Sequence, residues 1–83
     1  MDTKELHLAV VSPERTVFDG KVTSVTLPGE LGSFQVLPGH APLISSLVAG
    51  EMKYTVGKET QVLQIAGGFV EVRDNSVSAC VEL

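Results

Sequence analysis

The 83-residue chain has one cysteine, no tryptophan, one tyrosine and only six lysines and arginines. Each shortage excludes something. A single cysteine, Cys80, cannot build an internal disulfide framework and fits a reducing compartment. No cationic neighbour in sequence marks it as a reactive thiol. His7, His40 and Cys80 stand apart, without the short spacings that preorganise a zinc site. Lys4, Arg15, Lys21, Lys53, Lys58 and Arg73 are dispersed and the net charge is −4. Phosphate contacts need clustered cations, so nucleic acid is not an expected partner. Direct attachment to an anionic lipid surface is disfavoured for the same reason. The longest uncharged stretch, Leu31 to Gly50, holds three glycines, two prolines, a histidine and four polar side chains. It cannot cross a bilayer as a helix. The opening Met1-Asp2-Thr3-Lys4-Glu5 lacks the basic and apolar regions of a secretory signal, so a cytoplasmic-side protein is expected. Any membrane connection would run through another protein.

What is present suits one small globular domain over residues 1–83, with 43% apolar and 19% charged residues. The apolar pattern is mostly of period two and is broken by frequent turn signals, which predicts an all-β sandwich or barrel. Leu6, Leu8 and Val10 alternate, as do Met52, Tyr54 and Val56. Leu63 and Ile65, Val70 and Val72, and Val77, Ala79, Val81 and Leu83 continue the pattern. Two-residue hairpin turns are expected at Asp19-Gly20, Gly57-Lys58 and Asp74-Asn75, where positive φ is tolerated. Ser12-Pro13-Glu14-Arg15 reads as a type I turn, and Leu27-Pro28-Gly29-Glu30 as a Pro-Gly turn. Leu37-Pro38-Gly39-His40 reads as a type II turn, with Pro presetting φ and Gly taking the positive value. Between Val22 and Val25 the alternation slips by one, and a β-bulge near Thr23-Ser24 would account for it. Pro42 to Gly50 fits a short helix as well as a strand, since Leu43/Leu47 and Ile44/Val48 recur at i, i+4 between a Pro and a Gly.

Three segments carry a resemblance. They are Leu8-Ala9-Val10-Val11-Ser12-Pro13-Glu14-Arg15, the stretch from Gly32 through Pro38-Gly39-His40-Ala41-Pro42 to Leu43, and Ile65-Ala66-Gly67-Gly68-Phe69-Val70-Glu71-Val72. In that order they resemble the N-terminal domain of the ε subunit of F-type ATP synthases. The resemblance implies an all-β fold, a small β-sandwich of roughly ten short strands, with a strand across Pro42 to Gly50. It implies a non-catalytic rotor subunit that needs no cofactor and holds no catalytic or metal site. Its partners would be the γ subunit and the c ring, at the cytoplasmic face of a bacterial membrane. Residue by residue, Ser12, His40, Ala41, Pro42 and Ser45 are implied for γ, with Ser12 beside the His40 turn. Glu30, Leu31 and Ser33 are implied for the ring. The C-terminal helices of many relatives have no counterpart in these residues, so inhibition by helix extension and nucleotide binding are not carried over.

The residues alone admit plainer roles. His40 suits a turn histidine bonding a neighbouring carbonyl. The loop from Gly29 to Ser33 suits a solvated connection, although Leu31 and Phe34 near its tip would be unusual for an isolated monomer. Phe69, out of phase with Val70 and Val72, either fills an edge gap or lies under a partner. Glu51-Met52-Lys53 permits a rival reading, a biotinyl- or lipoyl-type carrier domain modified at Lys53. Lys53 falls within an alternating strand rather than at a turn, and no two similar halves are visible, which counts against the carrier.

Overall fold

A computed structural model describes residues 5–83 and shows nine strands and no helix among them. They are β1 (Leu6–Val11), β2 (Thr16–Val22), β3 (Ser24–Gly29), β4 (Gly32–Val36), β5 (Leu43–Leu47), β6 (Gly50–Val56), β7 (Glu59–Ile65), β8 (Gly67–Arg73) and β9 (Ser76–Glu82). Strand order is β2-β1-β9-β8-β5-β3-β6-β7, with β4 on the other side of β3. The β5–β3 link is a single residue pair, Gly29 with Leu47. The sheet therefore behaves as two layers, β2-β1-β9-β8-β5 and β4-β3-β6-β7, joined at one seam. β1 and β9 run parallel, and the other pairs are antiparallel.

Alternation decides what is buried. Leu6, Leu8 and Val10, Val70 and Val72, and Val77, Ala79 and Val81 fill the inner face of the first layer. Val25, Leu27, Val36, Met52, Tyr54 and Ile65 fill that of the second, and no polar or charged side chain is buried among the described residues. This is the period-two logic of strands with one dry face. The ambiguous segment after Pro42 is strand β5, which turns Leu47 inward and Ile44 outward.

Four expectations are corrected. Asp19-Gly20 is no hairpin turn; both lie inside β2, opposite Ala9 and Leu8. Tertiary pairing along β1 outweighs the local turn preference. The bulge is not at Thr23-Ser24 but at Val10/Val11 opposite β2, where the register passes from Phe18 to Thr16. Thr23 is instead a one-residue corner at which the chain leaves the first layer for the second, held by its N–H to the Thr55 carbonyl at 2.9 Å. That corner accounts for the slip between Val22 and Val25. Pro28 and Gly29 continue β3, and the turn lies one step later at Glu30-Leu31. Leu83 lies beyond β9 and is exposed. By contrast, Gly39 has φ +87 and the His40 N–H returns to the Leu37 carbonyl at 3.1 Å, as a type II turn requires. Asp74 and Asn75 both have positive φ, the signature of a type I′ hairpin.

Candidate functional site: an outer sheet face and the groove at the layer seam

The outer face of the first layer is built in rows, because paired residues on neighbouring strands point the same way. One row reads Lys21, His7, Ser76, Arg73; the next reads Asp19, Ala9, Ser78, Glu71, Ile44; a third reads Val11, Cys80, Phe69, Ser46. The face thus grades from cationic to acidic to apolar. His7 Nε2 lies 2.8 Å from Asp19 Oδ1, across the first two rows. Ile44 and Phe69 are 76% and 53% exposed. Beside Phe69 an open apolar depression of about 480 Å³ is lined by Val11, Ser12, Pro13, Cys80 and Val81. Large apolar groups on an outer face are the informative kind of exposure, since lone surface aliphatics are common but a contiguous patch is not.

The outer layer of the other sheet differs. There Ser24, Thr26, Thr55, Thr60, Lys53 and Gln64 predominate, with Glu51 accepting from Gln64 Nε2 at 3.0 Å and lying 4.0 Å from Lys53 Nζ. Lys53 sits mid-strand in β6, flanked by Thr26 and Val62 on neighbouring strands. A carrier lysine must stand on a hairpin crown to swing, so this placement does not favour the carrier reading.

The sequence-derived residues fall in three places. Pro38 to Pro42 link β4 to β5 at the end of the body marked by the β8–β9 turn: the Gly39 N–H donates to Asn75 Oδ1 at 2.7 Å, and the His7 N–H to the Asn75 carbonyl at 2.9 Å. His40 Nδ1 lies 2.6 Å from the Ala41 carbonyl, so Nδ1 carries the proton and donates. This is the plain turn role, and it leaves Nε2 free to meet a partner. Ala41 and Pro42 are exposed.

Ser12 lies at the opposite end. It follows Val11, five residues beyond His7, a distance of roughly 16 Å along a strand. Ser12 closes its turn with an N–H to the Arg15 carbonyl at 2.8 Å. The Arg15 N–H goes to Ser12 Oγ at 3.3 Å, in place of the Ser12 carbonyl that a type I turn would use. Ser12 is thus not beside the His40 turn; the graded outer face lies between them.

Ser45 belongs to a third place. With Glu30, Leu31, Ser33, Phe34, Ile44 and Ser46 it lines a groove of about 470 Å³ where the β3–β4 hairpin tip passes β5. The structure therefore brings Glu30, Leu31 and Ser33 together, and adds Ser45 to them. Phe69 and Ile44 are the residues that sequence reasoning undervalued. Ile44 was masked by the helix reading of its segment; as a strand, alternation with Leu43 and Leu47 turns it outward.

Comparison with known proteins agrees with this architecture. The family described as "ATP synthase, Delta/Epsilon chain, beta-sandwich domain" matches residues 5–82. The chain is 42% identical over 78 residues to the ATP synthase epsilon chain of Leptospira interrogans serogroup Icterohaemorrhagiae serovar copenhageni, covering 94% of this chain and 61% of that one. It is 43% identical over 79 residues to the ATP synthase epsilon chain of Nitratidesulfovibrio vulgaris (strain DSM 19637 / Miyazaki F), covering 95% and 59%. The chain thus spans about three fifths of the length of these relatives. In fold it is similar to a chain of the Euglena gracilis mitochondrial ATP synthase, OSCP/F1/c-ring in rotational state 1 (TM-score 0.90, 21% identity, 98% of this chain and 52% of that one). A chain of the Tetrahymena thermophila mitochondrial ATP synthase central stalk and c-ring is likewise similar (TM-score 0.81, 15% identity, 100% and 67%). With a match that leaves only the first residues and the last one outside, the chain belongs to the ATP synthase delta/epsilon-chain β-sandwich domain family.

Proposed function

We propose that this domain is the rotor part of an ε subunit, a non-catalytic central-stalk component of a proton-translocating F-type ATP synthase at the cytoplasmic face of the membrane. It binds the γ subunit through the outer face of the first layer, with Ser12 at one end and His40, Ala41 and Pro42 at the other. The hairpin tip carrying Glu30, Leu31 and Ser33 meets the c ring, and Ser45 lies at the boundary of the two contacts. The domain does no chemistry; it transmits rotation from ring to shaft.

The observation that carries this reading is the exposure of two large apolar side chains, Phe69 and Ile44, on neighbouring rows of a face whose opposite side is a dry core. A sheet packed at interior density moves as a body rather than bending, which suits a part clamped between two others. The relatives are named as ATP synthase epsilon chains, which supports the same reading. Binding through such a face needs on the order of 1,000 Å² of total buried surface.

The test is co-purification of the chain with the γ subunit of its own organism. The expected result is a stable complex that His40→Glu weakens. No complex with γ would overturn the reading, and unchanged binding by His40→Glu would remove His40 from the interface.

A further inference from the structure

We infer that strand β5 receives an extended segment of the γ subunit along its free edge, forming a strand pair across the two proteins; this rests on the functional reading above. β5 is bonded to β8 along its whole length, Leu43 to Leu47 against Val72 to Gly68. On its other side only Leu47 has a strand partner, Gly29. The Val48 N–H donates to the Pro28 carbonyl at 2.9 Å, which fixes the side to which that amide points. Backbone polar groups repeat every second residue along a strand. The N–H and C=O of Ser46 and Ile44 therefore point the same way, into the groove beside the β3–β4 hairpin. β3 ends at Gly29 and turns back at Glu30-Leu31 into β4, so no strand continues past Leu47 and the rest of the β5 edge, Ser46 back to Leu43, has no strand partner on that side.

Such an edge is a template for another chain, and proteins normally blunt it with charge or proline. Edge strand β2 carries Asp19 and Lys21; β5, Leu43-Ile44-Ser45-Ser46-Leu47, carries neither a charge nor a proline. Directional backbone donors and acceptors select an extended backbone, the mode in which main-chain bonds give affinity and alternate side chains give specificity. Glu30 is the only ionisable residue lining the groove. The lining is otherwise uncharged, so the segment that fits carries small or apolar side chains against Ile44 and Ser46. The groove is continuous with the outer face through Ile44, so one partner covers both.

The experiment compares γ binding by the unaltered chain, Ser46→Pro and Ser46→Ala, together with amide hydrogen exchange of the unaltered chain with and without γ. Proline removes one N–H from the groove side and none from the β8 ladder, a placement that edge positions tolerate. Ser46→Pro is expected to weaken γ binding at least tenfold, and Ser46→Ala to leave it within twofold. The Ile44 and Ser46 amides are expected to exchange at least tenfold more slowly in the complex. Equal binding by the proline and unaltered chains, or equal loss in the proline and alanine chains, overturns the strand pair while leaving the γ interface standing. If Ser46→Pro does not fold, the exchange measurement decides, and unslowed Ile44 and Ser46 amides overturn the inference. An unaltered chain that does not bind γ overturns the functional reading and the strand pair with it.

Discussion

Phe18 on β2 and Tyr54 on β6 face each other from opposite layers, with ring centroids 4.7 Å apart and planes inclined at 42°. The two layers share only one residue pair at the β3–β5 seam and one backbone corner at Thr23. The aromatic pair ties them on the side far from the seam. Such pairs contribute about 0.5–1.5 kcal/mol beyond the area they bury. A double-mutant cycle with Phe18→Ala and Tyr54→Ala, followed by urea unfolding, should return a coupling in that range. A coupling near zero would mean that the rings are held by the layers and do not help to hold them. Tyr54 is the only tyrosine and there is no tryptophan, so loss of its near-UV signal in Phe18→Ala gives a second readout.

Gly68 immediately precedes Phe69 on β8, in phase with the buried Val70 and Val72, and its backbone makes a close approach to β9. Its φ is +143, and a Cβ there would collide with the Cys80 carbonyl oxygen. Gly68→Ala should therefore cost at least about 2 kcal/mol, combining strain with displacement of a core strand. Gly39→Ala also meets a positive φ, but nothing lies within 4 Å of its Cβ position, so its cost should be smaller, about 1 kcal/mol. Paired thermal or urea melts check the ranking; equal losses would mean that strain alone, not the β9 contact, sets the cost at Gly68.

These residues also mark what the sequence could and could not reveal. Alternation made Leu6, Leu8, Val10, Met52, Tyr54, Val70, Val72, Val77, Ala79 and Val81 legible as core, and all ten are buried. It did so because each strand has one dry face and one wet face, so a one-residue error would expose a whole row. Turn chemistry was legible where the turn stands alone, as at Leu37 to His40 and Asp74-Asn75. It failed at Asp19-Gly20 and Pro28-Gly29, where pairing with the adjoining strands β1 and β4 holds turn-prone residues extended. The functional face was illegible for a related reason. Its rows join Ile44, Glu71, Ser78 and Ala9 from four strands, and no local pattern states which strands become neighbours.

Phe69 and Ile44 stand on the outer face with little to hold in the isolated domain, so their loss should separate binding from folding. Phe69→Asp and Ile44→Asp are expected to change stability by less than about 0.5 kcal/mol, as surface substitutions do. Each should weaken γ binding by about 2 kcal/mol or more, the cost typical of a truncated central anchor. Gln64→Asp, on the outer face of the other layer, serves as the control and should bind γ as the unaltered chain does. Titration calorimetry with purified γ checks all three. Equal weakening by the Gln64 variant would mean that added negative charge acts at long range and that Phe69 and Ile44 are not the contact.

The hairpin tip offers a cleaner separation of partners. Leu31 is fully exposed at the Glu30-Leu31 turn, beyond the last β3–β4 pair, Gly29 with Gly32. An aliphatic side chain in that position contributes nothing to the core, so Leu31→Ser should leave the unfolding free energy within about 0.5 kcal/mol of the original. The tip projects from the seam, whereas His40 and the cationic row lie at the other end of the body, so γ binding should survive the change. Association with the c ring should not. Sedimentation of a preformed complex of the chain with γ onto membranes stripped of the catalytic head, but retaining the ring, reads both contacts at once. The Leu31→Ser complex should stay intact in solution and pellet less with the membranes than the unaltered one. Undiminished pelleting would move the ring contact off Leu31 and onto Glu30 or Ser33, and dissociation of γ would show that the tip belongs to the shaft instead.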